Sequence, residues 1–347
     1  MRISLAELKI GDVLGGDVYN LSGLHLLPTD KIISEEDRGK LLKHNIDYIE
    51  IKKEKISGSK YRMRTLYPKH LQIYKNAIQG VRDLFQSVRT EGIISKDFVK
   101  ERYSELLLQF QDEQDLLSFL LHLNRKDEYT YEHCVQVGIF SYFIATWLGL
   151  DKEEAILIGE TGYLHDIGKG KVDNAILLKP DRLSNDEFTE MKKHTTYGYE
   201  ILQESLGDNN IFAIVALEHH ERLNGSGYPL QKICDDIHFY SKIVAVADIF
   251  DAMTSNRIYQ EKKNLLYVLR ELHRMSFGEL DAAITHTFIK NLLPHLIGKK
   301  VALNNGQTGI IVMTNLLDFF RPLIQLDDEF LDLSVHTYID IVSILMD

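Results

Sequence analysis

With 347 residues, 44% of them apolar and 26% charged, the chain has material for two or three cores, and its net charge of −11 argues against a nucleic-acid polymer as partner. The first residues, MRISLAELKIGDV, lack the apolar run of a secretion signal, and no stretch reaches the ~18 apolar residues of a membrane span. Cys134 and Cys234 make no disulfide framework and read as small buried hydrophobes, so the expectation is a soluble protein in a reducing, cytoplasmic setting, away from membranes.

Residues 1–62 read as a small α+β unit. Gly11-Asp12, Gly15-Gly16 and Leu21-Ser22-Gly23 separate short apolar runs, as turns separate strands. Ser34 followed by Glu35, Glu36 and Asp37 predicts a capped helix running to His44-Asn45. Ile46–Ile51, rich in β-branched and aromatic residues, predicts a strand, and the Lys/Arg/Ser/Gly-rich segment 52–67 a linker. From Pro68 the pattern turns helical. Leu71, Tyr74, Ile78, Val81 and Phe85 form one amphipathic stripe, and Phe98, Tyr103, Leu106, Leu107 and Phe110 a second. This stretch, a helical connector over 63–115, packs on the next domain or pairs with itself in a homodimer through helices within 68–121.

Helical periods continue over 116–297. At 298–347 the texture changes: Lys300–Leu303, the Asn305-Gly306 turn and Thr308–Val312 predict a hairpin, with further strands at Pro322–Leu326 and Ile339–Val342. The expected fold is therefore mainly α, an all-α domain flanked by a small N-terminal α+β unit and a small C-terminal β unit.

The chemistry sits in the helical middle. His133 follows Tyr129-Thr130, His165-Asp166 ends the apolar run Ile156–Leu164 and opens onto Gly168-Lys169-Gly170, and His219-His220 ends Ile211–Leu217. His194 lies between these elements, and Asp248 interrupts Ile243–Ala247. Burying so many polar groups is unfavourable unless hydrogen bonds or a cation compensate, and a divalent ion does so directly. Mixed His/Asp donors suit Fe, Mn, Co, Ni or Zn. With Asp166 as a bridge, His133, His165, Asp166 and Asp248 can hold one ion and His194, His219, His220 and Asp166 another. A water between two such ions becomes a hydroxide nucleophile. A lone histidine on an apolar helix is instead a hydrogen-bonded core residue, the reading given to His122, His273 and His286. His238 and His295 read as surface or packing residues.

The set His133, His165-Asp166-Ile167-Gly168-Lys169, His194 and Asp248 resembles the HD superfamily of metal phosphohydrolases. His219-His220-Glu221-Arg222-Leu223-Asn224-Gly225-Ser226-Gly227-Tyr228-Pro229 and Asp248–Arg257 resemble its HD-GYP branch, over roughly residues 116–297. The resemblance implies an all-α HD-type catalytic domain that hydrolyses cyclic di-GMP to pGpG, GMP or both, in a bacterial signalling role. It makes His133, His165, Asp166, His194, His219, His220 and Asp248 metal ligands, with Asp166 and Lys169 central to catalysis. Lys169, Arg257 and Tyr228 then contact substrate. The loop around Gly225, Gly227 and Tyr228-Pro229 also reads as nothing more than a tight turn.

Several positions depart from the family pattern. Asn224 replaces an Asp, Thr195 a common Pro, Gln260 a basic residue, and Val172-Asp173-Asn174 an apolar-Pro-Asp run. Tyr129 stands one turn before His133, where relatives with a third ion carry a Glu, so the expected count is two ions. The competing readings are an HD-type hydrolase of another cyclic dinucleotide, and a weak or inactive cyclic dinucleotide receptor.

Overall fold

A computed structural model describes residues 2–5, 8–9, 12–16, 18–19, 25–27, 31, 33–44, 46, 48–51, 58–95, 103, 106–107, 129–208, 210–254, 265–315, 318–327 and 329–345, with backbone alone at some of them, including 58–71 and 129. Arg257, Gln260, His122, Phe98 and Phe110 lie outside the described residues. The chain divides into two compact units, Met1–Leu71 and Gln72–Asp347.

In the first unit, β1 (Arg2–Ser4) pairs antiparallel with β4 (Tyr48–Glu50), and β2 (Val18–Tyr19) with β3 (His25–Leu27). Helix α1 (Glu35–Lys43) starts as the sequence predicts. The Ser34 hydroxyl accepts from the Asp37 amide while the Asp37 carboxylate accepts from the Ser34 amide, a closed capping box. Leu8, Leu14, Leu26, Leu27, Ile33, Leu41 and Ile49 form the core beneath these elements.

Helix α2 spans Gly58–Glu91, so it begins ten residues before Pro68 and takes in much of the expected linker. That segment lacks apolar periodicity, yet its Lys, Arg, Met and Leu are good helix formers, and propensity decides where periodicity is silent. Tyr74, Ile78, Val81 and Phe85 are buried, as their spacing demands. The Tyr163 hydroxyl donates to the Ala77 carbonyl (2.8 Å) and Gln136 donates to the Tyr74 hydroxyl (3.1 Å), which ties α2 to the helices that carry the site.

Those helices are α3 (Tyr129–Trp147) and α4 (Lys152–Leu164), followed by a 3-10 turn (Ile167–Lys171). Next come α5 (Asn174–Leu177), α6 (Asn185–Lys192), α7 (His194–Leu206) and α8 (Ile211–Glu218). The last three are α9 (Phe239–Thr254), α10 (Leu265–Met275) and α11 (Ala282–Leu292). Helices α3 and α4 cross at glycines: a Cβ on Gly162 would lie 3.1 Å from the Gly138 Cα and 2.8 Å from the Ser141 Oγ. Phe140, Phe250 and Phe288 meet edge to face in the core that joins α3, α9 and α11. No helix among the described residues is long and apolar enough to cross a membrane.

The C-terminal segment is a five-stranded antiparallel sheet, in the order Glu329–Asp332, Leu323–Leu326, Thr308–Met313, Lys300–Leu303, Ile341–Ile344. The Asn305-Gly306 turn closes its first hairpin, with Gly306 at φ 85°. Cys234 is exposed, in contrast to Cys134 and to the buried reading of both, because it sits in a short 3-10 turn of the loop after α8. His273 and His286 are half-buried rather than core: their rings stack 5.3 Å apart, beside Phe319 and Phe320.

Candidate metal centre

Each site residue stands where an element starts, ends or turns inward. His133 lies in the first turns of α3, His165 ends α4, and Asp166 precedes the 3-10 turn that carries Lys169. His194 opens α7, and His219-His220 follow directly on α8. Asp248 lies inside α9. The structure brings all seven together. Asp166 is central: its Oδ2 lies 3.3 Å from His165 Nε2 and 3.7 Å from His133 Nε2, and its Oδ1 3.2 Å from His194 Nε2 and 3.8 Å from His219 Nε2. Asp248 reaches the other side, with Oδ1 at 3.1 Å from His133 Nε2 and Oδ2 at 3.6 Å from His220 Nδ1. Lys169 Nζ lies 2.5 Å from Asp166 Oδ2.

The ring tautomers follow from the far side of each imidazole. His165 Nδ1 lies 2.7 Å from the Gly162 carbonyl, His194 Nδ1 2.6 Å from that of Met191, and His219 Nδ1 2.9 Å from that of Ala216. A carbonyl only accepts, so each Nδ1 carries the hydrogen and each Nε2 presents a lone pair inward. His194 Nε2 and His219 Nε2 then face each other at 3.3 Å, both aimed at a carboxylate. His165 Nε2 and Asp166 Oδ1 are fully buried without a hydrogen-bond donor. Lone pairs crowded against lone pairs in a dry pocket are unfavourable unless a cation sits among them.

Ionisation follows the same logic. Burial opposes the charge on Asp166 and on Asp248, yet Lys169 with His165 and His194 holds the first carboxyl, and His133, His220 and His165 the second, well below the usual range. Burial also opposes charging His133, but Asp248 and Asp251 push it up to about 9. Burial and neighbouring imidazoles keep His219 and His220 well below the ordinary histidine value. His219 and His220 thus offer neutral imidazoles, and Asp166 and Asp248 ionised carboxylates, the forms that bind divalent ions, whereas His133 must give up a proton to bind one. Two groups converge, one oxygen or nitrogen from each residue lying within 4.8 Å of the rest: His133, His165 and Asp166, and Asp166, His194, His219 and His220. These donors fit metal ions.

The rim is built by the residues between and around the histidine pair. Glu221 accepts from the amides of Leu230 (2.6 Å) and Lys232 (3.0 Å). Glu218 accepts from Lys232 Nζ (2.6 Å), the His238 amide (2.8 Å) and the Ser241 hydroxyl (3.0 Å). Tyr228 stacks on His220 with centroids 4.6 Å apart, and burial pushes its hydroxyl pKa up, so the phenol stays neutral. Asn224 does the work of an Asp in the turn, its Oδ1 accepting from the Ser226 amide at 3.0 Å. Thr195 is buried and its hydroxyl donates to the Lys192 carbonyl at 3.0 Å. Asp173 caps α5 through the Ala175 amide. The Tyr129 side chain, Arg257 and Gln260 lie outside the described residues.

Sequence reasoning missed Asp251, fully buried with Oδ2 2.6 Å from His133 Nδ1, and the two carboxylates Glu218 and Glu221. The spacing of Asp248 and Asp251, one turn apart on one helix face, was the available signal. For Glu218 and Glu221 the signal was their place on either side of a histidine pair.

Residues 121–284 match the family model described as HD domain. Over 246 residues the chain is 28% identical to the cyclic di-GMP phosphodiesterase PA4108 of Pseudomonas aeruginosa, covering 71% of this chain and 59% of that protein. Over 213 residues it is 36% identical to a cyclic di-GMP phosphodiesterase of Thermotoga maritima, covering 60% of this chain and 57% of the relative. The chain therefore spans less than two thirds of the length of either. Among solved structures, Bd1817 of Bdellovibrio bacteriovorus, described as an HDG"Y"P protein, shares the fold: TM-score 0.53 at 15% identity, over 83% of this chain and 97% of that one.

Proposed function

We propose that the chain is an HD-GYP-type metal-dependent phosphodiesterase that hydrolyses cyclic di-GMP to pGpG, GMP or both, a reading supported by its match to the HD domain and its similarity to cyclic di-GMP phosphodiesterases. The observation that carries the reading is the gathering of five histidines around Asp166, with Asp248 against two of them, and two buried atoms, His165 Nε2 and Asp166 Oδ1, that no protein donor satisfies. Two divalent ions held by these residues, Fe or Mn with Zn, Co or Ni as substitutes, would supply Lewis acidity and would acidify a water for attack.

The chain's own residues do the rest. Asp166 divides its oxygens between the two donor groups, Oδ2 toward His133 and His165 and Oδ1 toward His194 and His219. It thereby fixes the spacing at which substrate phosphate is met. Lys169, its ammonium held beside Asp166, provides a compact mobile charge for a phosphate oxygen. Tyr228 keeps its proton and walls the rim with its ring against His220, where a guanine edge or phosphate can accept from it. Arg257 corresponds to a guanidinium contact to the same ligand. We assign the ions to His133, His165, Asp166 and Asp248, and to His194, His219, His220 and Asp166, two rather than three. The setting is the bacterial cytoplasm. In the connector, Tyr103, Leu106 and Leu107 are buried within the chain, Tyr103 against Gly138, Gly159 and Tyr163, so they form a packing face, and a homodimer contact through helices within 68–121 would use other residues.

The test is direct. Full-length protein loaded with Mn2+ or Fe2+ is incubated with cyclic di-GMP and with other cyclic dinucleotides, and products are separated by chromatography. Chelator-sensitive appearance of pGpG or GMP supports the reading. Tight binding without turnover makes the chain a receptor, and preference for another cyclic dinucleotide changes the substrate.

A further inference from the structure

Four imidazoles of the centre turn an Nδ1 away from it, and they do not meet the same partner there. His165, His194 and His219 each meet a main-chain carbonyl a turn or less behind them, a neutral partner that comes with the helix. His133 instead meets the carboxylate of Asp251, 118 residues further along the chain, at 2.6 Å. Asp251 sits one turn beyond Asp248 on α9, so a single helix face grips the His133 ring from both sides, Asp248 at Nε2 (3.1 Å) and Asp251 at Nδ1. Both carboxylates are buried, Asp251 with no exposed surface at all.

We propose that Asp251 makes the two ion positions unequal: it is a positioning residue that fixes the His133 ring and makes it the strongest nitrogen donor of the set, so that the ion at His133, His165, Asp166 and Asp248 binds first and leaves last. The proposal rests on the metal-centre reading above. Its physical basis is that an anionic partner on the outer nitrogen raises the basicity of the inner one, whereas a carbonyl does so far less, and loss of such a partner typically weakens metal affinity about 10–100-fold. Charge points the same way. Asp166 and Asp248 flank the first position directly, with Asp251 behind its histidine, while the second position is three imidazoles and the shared Asp166.

The experiment reads metal, not turnover. Full-length apoprotein is titrated with Mn2+ against a chromophoric chelator, giving stepwise affinities for wild type, Asp251→Asn, Asp251→Glu and His220→Ala. Wild type takes up one ion tightly and a second more weakly. Asp251→Asn, which keeps shape and an acceptor but loses the charge, weakens the tight step about 10–100-fold and leaves the other within about threefold. Asp251→Glu restores part of the loss, and His220→Ala abolishes only the weak step. Two equal wild-type affinities, or an Asp251→Asn effect that falls on both steps or on neither, overturns the proposal. If Asp251→Asn fails to fold by circular dichroism, the wild-type affinities and His220→Ala still decide it, since equal steps or loss of the tight ion in His220→Ala refute the inequality. Stepwise binding in a protein that leaves cyclic di-GMP intact would sink the substrate assignment alone, and hydrolysis with equal affinities would sink this inference alone.

Discussion

Gly168 presses its backbone against that of His194: a Cβ built at 168 would overlap the His194 carbonyl oxygen and the Gly198 amide nitrogen. The turn that carries Lys169 and the helix that opens with His194 therefore meet main chain to main chain. Gly168→Ala forces them apart, and overpacking of this kind destabilises by about 1–3 kcal/mol. The expected result is a lower melting temperature together with loss of metal at the His194 side. A variant that melts normally with full metal content would show that the contact is dispensable.

Asp166 is the oxygen donor common to both groups. Asp166→Asn keeps the shape but removes the charge, so both ions and all hydrolysis should be lost while helical circular dichroism is retained. Metal analysis showing normal occupancy in that variant would remove Asp166 from its bridging role.

Lys169 is not a ligand while charged, so Lys169→Ala should keep its metal. A hydrogen bond to a charged group contributes about 1.5–3 kcal/mol, which predicts roughly a 10- to 100-fold fall in kcat/KM. Steady-state kinetics on metal-replete variant protein measure this, and unchanged kinetics would mean that the lysine serves only Asp166.

His273 carries a pH dependence away from the centre. Burial first, and then the stacked His286, lower its pKa, with Asp318 acting weakly against them. A histidine whose folded pKa lies below its unfolded value of about 6.5 takes up its proton more readily when unfolded. Its contribution to stability is thus present above that value and is lost as pH falls through the folded pKa. Melting temperatures at about pH 7.5 and pH 5.5 should differ more in wild type than in His273→Gln. An equal drop in both would assign the effect elsewhere.

Asp248 was legible because it interrupts an apolar helical run, and His165-Asp166 and His219-His220 because they end one, places where Leu or Val would pack better and a polar residue needs a partner; His133 and His194 were legible through the resemblance of the whole set to the family motif. The C-terminal hairpin was legible because Asn305-Gly306 favours the positive φ that Gly306 adopts. The start of α2 was not, since residues 58–67 offer propensity without a periodic face. Asp251 was hidden by its own neighbourhood: beside Phe250 and Ala252 it reads as one more polar residue of α9, and only a fold that sets that helix against α3 reveals its partner. Glu218 and Glu221 were hidden for a related reason. Their partners are amides and a lysine of a loop whose path no local pattern fixes.

That loop is anchored at few points. Between Arg222 and Ile237 it is held by the Leu223 amide on the Glu279 carbonyl at 3.0 Å, the Leu230 and Lys232 amides on Glu221, the Lys232 ammonium on Glu218, and Tyr228, whose amide donates to the His220 carbonyl at 3.2 Å and whose ring stacks on His220. Gly227 adds a further constraint, since a Cβ there would overlap the Glu221 Cα and the His220 carbonyl oxygen, so exchange of the loop as a cassette would have to keep a glycine at that point. Donor loops that keep a lysine and two properly placed amides could be grafted onto this scaffold, changing which ligands enter while the histidine pair beneath stays in register.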